Sequence, residues 1–286
     1  MNEEYRVSED KQNQSPPLSR EGLIDSVRLF QEQGYLVLNK ALSQTWVESL
    51  ATAYHSDFGG LALSELSEYG YLVGDQRILH PLPLKGVFNQ PEFYAQPMLY
   101  TLLMTLLGPK MVLNNCAVVV SLPGSENQRL HRDTPFLFGR NPASALIPPY
   151  GITLGIPLVD LNEVNGSTCF YSVSHRALEL AKTYQERGNG TSLQCTMGDV
   201  YLMDFRLVHA GTANLSPSRR PIIYLAYTQP WYFDIENTIN QRVPSVVISE
   251  NDLQNIPEQY AQLLSYSKVI PRDMKSAWQK AYRQGE

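Results

Sequence analysis

The chain has 286 residues, 43% of them hydrophobic and 18% charged, and a formal net charge of -5. That balance describes an ordinary globular protein; it offers no basic face for a nucleic acid and no run of about 18 apolar residues that could cross a membrane. The three cysteines, Cys116, Cys169 and Cys195, are too few and too scattered for a thiolate metal cluster and suit a reducing, cytoplasmic setting, with Cys116 and Cys169 expected to be buried packing residues.

Residues 1–18 are polar, lack the apolar stretch of a secretory signal, and read as a disordered lead-in. Ser19 then caps a helix with apolar Leu23, Val27, Leu29 and Phe30 that stops at Gly34. "YLVLNKAL" is a short strand, and a second helix opens at Ser43. From Phe58 to Gly86 the chain is irregular and rich in Gly, Tyr and Leu, the texture of a lid or substrate wall. "PEFYAQPMLYTLLMTLLG" returns to helix and stops at Gly108. Short β-rich runs punctuated by Gly, Pro, Asn and Asp follow, the rhythm of an antiparallel sandwich or jelly roll. From about Ser245 the pattern is helical again, in "SENDLQNIPEQYAQLLSYS" and "IPRDMKSAWQKAYRQ". The expectation is one domain over 19–286: a helical cap and substrate wall at 19–110, a β core at 111–234 and a C-terminal helical extension at 235–286.

Five histidines occur: His55, His80, His131, His175 and His209. An H-x-D match such as His131-Arg132-Asp133 is weak alone, but on an extended segment both side chains point to one face. Arg132 then points away from it. His209 ends another strand just before a glycine turn, and a jelly roll pairs sequence-distant strands, so it can approach the first two. Two imidazoles and a carboxylate on one side of a metal form the facial triad of non-heme Fe(II) oxygenases. The opposite side stays free for a bidentate co-substrate and O2. Arg219 and Arg220 open the strand "PIIYLAYTQP"; an arginine entering a barrel is costly unless it meets an anion, and the distal carboxylate of 2-oxoglutarate fits.

These residues resemble the phytanoyl-CoA dioxygenase family of Fe(II)/2-oxoglutarate-dependent oxygenases. His131, Asp133 and His209 match its metal ligands, and Arg220, eleven residues after His209, matches its oxoglutarate arginine. "HAGTANLSPSRRPIIYLAY", "GIPLVDLNEVNGSTCFYSVSHR" and "LFQEQGYLVLNKALS" resemble the family's corresponding blocks, so the likeness runs from Gly22 to Phe233. It departs at Val173, where the family commonly has the glycine of P-G-S-H. The resemblance implies a mainly β fold with helical decoration: a double-stranded β-helix, a cupin-like jelly roll, with N-terminal and C-terminal helices. It implies Fe(II) on the triad, 2-oxoglutarate and O2 as co-substrates, and Arg220, Thr153, Gln128 and Asn115 as cofactor-binding residues. Halogenases of this fold carry a small residue in place of Asp133, so its presence points to hydroxylation or a related oxidation.

Substrate contacts are expected from Phe136, Phe138 and Arg140 beyond the metal strand, Trp231 and Phe233 at the end of the arginine strand, and Arg77, His80 and Tyr71 on the wall. The substrate expected is a small metabolite, plausibly of secondary metabolism; no basic patch for an acyl-CoA is visible. His175 falls in a structural turn and His55 in the helical cap. A non-catalytic jelly-roll binding protein is the alternative, and the complete ligand set speaks against it; a metal-dependent hydrolase or isomerase would have no use for Arg220.

Overall fold

The computed structural model describes residues 19–188, 190–233 and 246–270. The lead-in, the first part of the C-terminal extension and its last helical stretch, from Pro271 onward, lie outside them.

The first helix, α1 (Arg20–Gln33), begins where Ser19 Oγ accepts from the Gly22 amide at 3.0 Å, and ends at Gly34, whose φ of 84° lets its N–H reach back to Phe30. Ser43 caps α2 (Gln44–Tyr54) in the same way. The strands in chain order are β1 (Tyr35–Leu38), β2 (Tyr71–Gly74), β3 (Arg77–Pro81), β4 (Val112–Ser121), β5 (Gly151–Pro157) and β6 (Thr168–Phe170). Then come β7 (Thr191–Ser192), β8 (Val200–Asp204), β9 (His209–Gly211), β10 (Arg220–Thr228), β11 (Val247–Ser249) and β12 (Lys268–Ile270).

Seven strands form an antiparallel sheet in the order β1-β8-β5-β10-β4-β3-β2, and three form a second in the order β7-β6-β9. Strand alternation divides the large sheet into two faces. Cys116, Val118, Val120, Ile152, Leu154, Ile156, Ile223 and Leu225 turn outward, against a helix at Pro97–Leu107 that buries Leu102, Leu103, Leu106 and Leu107. Each such fully buried side chain contributes roughly 1.5–3 kcal/mol. On the inner face Tyr201, Met203 and Ile222 pack against Phe170 of the small sheet and Leu193, just past β7. The result is the expected jelly roll: helices, large sheet, small sheet. The site lies between the two sheets.

Three expectations are corrected. The wall around residues 58–86 contains the hairpin β2–β3, which extends the large sheet beside β4. The helix expected over 91–107 is two, Pro91–Tyr94 and Pro97–Leu107, because Pro97 supplies no amide to continue the first turn and Gln96 caps the second helix. The described C-terminal stretch holds only a short helix, Glu250–Gln254, two single 3-10 turns and the parallel pair β11–β12.

Candidate metal and co-substrate site

His131 lies opposite His209 across a two-bond antiparallel bridge, N to O at 3.0 and 2.9 Å, which adds the His131 segment to the edge of the small sheet. The Asp133 amide donates to Phe205 O, just past β8. Backbone pairing therefore carries all three residues into one place: one ligand atom from each lies within 4.8 Å of the others. The two imidazole centroids are 4.3 Å apart, and Asp133 Oδ1 is 3.5 Å from His209 Nε2.

The surroundings orient each group. His131 Nδ1 lies 2.9 Å from Arg129 O and His209 Nδ1 3.1 Å from Leu207 O, so each Nδ1–H is committed to a carbonyl and each Nε2 lone pair is free. Thr153 Oγ1 donates to Asp133 Oδ2 at 3.0 Å, leaving Oδ1 toward His209. Burial, then the neighbouring His209, pushes the His131 pKa down to about 4, so the neutral, ligating imidazole is favoured. Arg132 points away as expected, donating to the carbonyls of Arg206, Ser174 and Ala177, with its guanidinium 5.0 Å from the Phe136 ring. Nitrogen and oxygen donors without thiolate, on one side, suit a divalent iron.

Past the triad, where the chain leaves β9 on its way to β10, lies a second cluster. Arg220 of β10, Ser121 of β4 and Arg77 of β3 stand side by side in register across three neighbouring strands. Ser121 Oγ accepts from Arg220 Nη2 and from Arg77 Nε, both at 2.7 Å. Both guanidiniums also donate to Thr212 O, beyond β9. Arg77 and Arg220 are 1% and 2% exposed, and among the described residues neither has a carboxylate partner and Arg77 Nη1 and Arg220 Nε have no hydrogen-bond partner. Burial and then the nearby Arg220 lower the Arg77 pKa to about 10. Gly166, at φ 73°, makes room for this cluster; a Cβ there would stand 2.4 Å from Arg220 Nη1. Arg219 faces elsewhere and donates to Leu61 O.

The remaining candidates fall in different places. Asn115 is on the inner face, opposite Ala226, which also pairs with Thr153, and its amide makes no hydrogen bond among the described residues. Gln128 sits beside Arg77, but both halves of its amide are engaged, Nε2 with Val73 O and Oε1 with the Gly211 amide. Arg77, expected on a substrate wall, belongs instead to the arginine cluster. His80, three residues on along β3, turns to the opposite face, fully buried with Nε2 3.1 Å from Tyr54 Oη and its ring against Phe58. It does not line the site. Phe136 and Arg140 border a cleft of about 320 Å³ behind the metal strand, together with Arg132 and Leu178. Phe138, Trp231 and Phe233 are exposed, Trp231 lying 6.2 Å from the Tyr150 ring. Tyr71 is half-buried on β2. His175 is buried with Nε2 on Gln31 O, tying its turn to α1, and His55 is exposed at the end of α2. Cys116 is buried and Cys169 half-buried.

Sequence reasoning missed Arg77 as a neighbour of Arg220, and a hydroxyl trio of Thr168, Tyr201 and Tyr224 between the arginines and the triad. The available signal was Ser121, a polar end to an apolar strand.

The family model for phytanoyl-CoA dioxygenase matches residues 30–222. A dioxygenase, himG, from Aspergillus japonicus is 23% identical over 223 residues, covering 71% of this chain and 67% of its own length. Among solved structures, the non-heme alpha-ketoglutarate-dependent epimerase SnoN from nogalamycin biosynthesis superposes with a TM-score of 0.58 at 17% identity, over 74% of this chain and 82% of its own. HygX from Streptomyces hygroscopicus, with nickel and 2-oxoglutarate bound, gives 0.57 at 19% identity, over 75% and 89%. No helix among the described residues is long and apolar enough to cross a membrane. With the model spanning well over half the chain and a His-Asp-His group in place, the chain belongs to the phytanoyl-CoA dioxygenase family and is an Fe(II)- and 2-oxoglutarate-dependent dioxygenase that uses O2.

Proposed function

We propose that His131, Asp133 and His209 hold the Fe(II), that Arg220 and Arg77 together receive the distal carboxylate of 2-oxoglutarate, and that the enzyme hydroxylates a C–H bond of a small metabolite. The observation that carries this reading is the pair of buried guanidiniums beside the triad that meet no carboxylate among the described residues, with two nitrogens unpartnered there. Like charges at that depth are tolerable only if an anion completes the site. When bound, iron and co-substrate supply the oxidation, O2 being consumed as 2-oxoglutarate becomes succinate and CO2. The protein's own residues do the rest. Thr153 holds the Asp133 carboxylate in one orientation, the Arg129 and Leu207 carbonyls set the imidazole tautomers, and Asn115 offers an unused amide at the level of Thr153. Asp133 occupies the position that halogenation would need open.

Of the expected substrate contacts, Arg77 and His80 are turned away and Phe136 and Arg140 border the cleft with Arg132; those left are aromatic, Tyr71 on β2, Phe138 in the loop leaving Asp133, and Trp231 and Phe233 past the end of β10. A largely apolar small molecule suits them. A place in secondary metabolism is supported by the nogalamycin pathway for which SnoN is described.

Anaerobic addition of Fe(II) and 2-oxoglutarate should give a weak visible charge-transfer band in the wild type and none in His131→Ala. A wild type without the band, or a variant that keeps it, overturns the assignment. Arg220→Ala should weaken 2-oxoglutarate binding about 10- to 100-fold, the scale of losing bonds to a charged acceptor.

A further inference from the structure

The strand that carries His131 and Asp133 has a second side. Their side chains turn inward between the sheets, and Arg132, between them in sequence, turns the opposite way. There it borders a cleft of about 320 Å³, near the lower end of the range that small-ligand clefts occupy. One wall is the chain leaving Asp133, with Phe136 half-buried and Arg140 exposed at the rim. This wall closes on itself: the Gly139 amide donates to Phe136 O, and Ser144 Oγ accepts from the Phe138 amide and donates to Gly139 O. The other wall is Leu178, Glu179 and Leu180. It is anchored by Ala181, which packs on a buried cluster of Tyr171, Tyr184 and Val208.

The lining sets the charge of what can bind. Arg132 gives Nε to Arg206 O and Nη2 to Ser174 O and Ala177 O, all neutral acceptors, and its Nη1 has no hydrogen-bond partner among the described residues. Burial lowers the Arg132 pKa more than Tyr184 and Glu179 raise it, as expected of a cation short of counter-charge. Arg140 forms no ion pair among the described residues. Glu179, the acid on the other wall, is already held by Arg187 at 2.6 Å. Two guanidiniums thus stand against one acid that has its partner. An anion is favoured, and a single charge more than a double one, because Glu179 repels the second. A planar carboxylate is the acceptor that guanidinium N–H groups match best. Phe136, Leu178 and Leu180 offer apolar surface to the rest of the molecule.

We propose that this cleft is a second ligand site, for a small monocarboxylate with an apolar body, whose carboxylate bridges Arg132 Nη1 and Arg140 while the body lies between Phe136 and Leu178. A molecule held there touches the residue between two metal ligands without reaching the metal. It is therefore neither the substrate at its reacting position nor the co-substrate.

Equilibrium dialysis of the full-length protein, loaded anaerobically with Fe(II) and 2-oxoglutarate, tests this with phenylacetate as the probe and phenylacetamide as its uncharged counterpart. The co-substrate occupies its own site, and without O2 nothing turns over. Wild type should hold phenylacetate about tenfold more tightly than the amide, the scale of hydrogen bonds to a charged acceptor. Arg140→Gln should weaken phenylacetate about threefold, the scale of an exposed charge pair, and leave the amide unchanged. Leu178→Trp, which fills the cleft from one wall, should abolish binding of both. The charge-transfer band should stay in place throughout, since the iron is not touched. No retention of phenylacetate, equal binding of acid and amide, or binding that survives both substitutions overturns the site. So does a band shifted by phenylacetate, which puts the probe at the iron, or binding seen only when 2-oxoglutarate is left out, which puts it on the other arginines.

Discussion

Val173 occupies a backbone position made for glycine. Its φ is 66°, in the left-handed region that a β-branched residue enters only under strain, and its side chain is 52% exposed, so burial returns little. The neighbours hold it there: Val173 donates to Gln33 O, and Ser174 Oγ accepts from the amide of Val208, beside His209. Val173→Gly should therefore stabilise the fold by about 1 kcal/mol, the left-handed penalty less the entropy glycine adds to the unfolded chain. A denaturant midpoint that does not rise, at unchanged slope, would show that the strain is absorbed elsewhere. His80 gives a pH dependence of definite sign. Burial depresses its pKa from 6.5 to about 4, so below pH 6.5 the unfolded chain binds a proton that the folded one refuses. Its contribution is complete above pH 6.5 and is lost as pH falls toward 4. His80→Gln in the metal-free protein should flatten the stability profile across that window by up to about 3 kcal/mol relative to wild type. Parallel profiles would place the protonation somewhere else.

At the scale of elements, the end of β8 ties the metal strand to the rest of the molecule. Arg206 grips Asp204 with two bonds, Nε to Oδ1 at 2.8 Å and Nη2 to Oδ2 at 2.7 Å, both residues about 1% exposed. Its Nη1 donates to the carbonyls of Ser144 and Ile147, while its own carbonyl receives Arg132, and the adjacent Phe205 carbonyl receives the Asp133 amide. Asp204→Ala leaves that guanidinium buried without its counter-charge and should cost about 3–5 kcal/mol. Bound iron after gel filtration should fall as well, because Asp133 hangs from the same turn; full iron retention in a destabilised variant would separate the two. What the sequence could and could not show divides at this scale. Ser19, Gly34, Ser43 and Gly108 announce helix ends through local chemistry, and the two-residue spacing of His131 and Asp133 announces a shared face. The hairpin that delivers Arg77 announces nothing. It turns at Asp75 and Gln76, with Gln76 at φ 48°, and lacks the Asn-Gly or Asp-Gly pair that marks such a turn. That Arg77 meets Arg220 follows from β3 and β10 both pairing with β4, and sheet order of that kind is written in no local pattern.

Across the whole molecule, the site is where the two sheets are held against each other. Thr153, Ser121, Arg220 and Arg77 come from the large sheet, His209 from the small one, and His131 and Asp133 from the segment bridging them. Without an anion, two guanidiniums repel across Ser121; with one, their charge is compensated and their unpartnered nitrogens gain an acceptor. Loading with Fe(II) and 2-oxoglutarate should therefore stabilise the fold by about 2.7 kcal/mol at 100 times the dissociation constant. In a thermal scan that is roughly 5–10 °C. Arg77→Met separates the contributions. It removes one of two like charges from a buried pair, so the unloaded protein should melt no lower than the loss of its bonds to Ser121 and Thr212 requires, within a few degrees of wild type. The shift produced by 2-oxoglutarate should nevertheless shrink to less than half, since the remaining arginine meets the carboxylate alone. A variant whose unloaded form collapses while its co-substrate response survives would mean that Arg77 serves the fold, and that Arg220 carries the anion by itself.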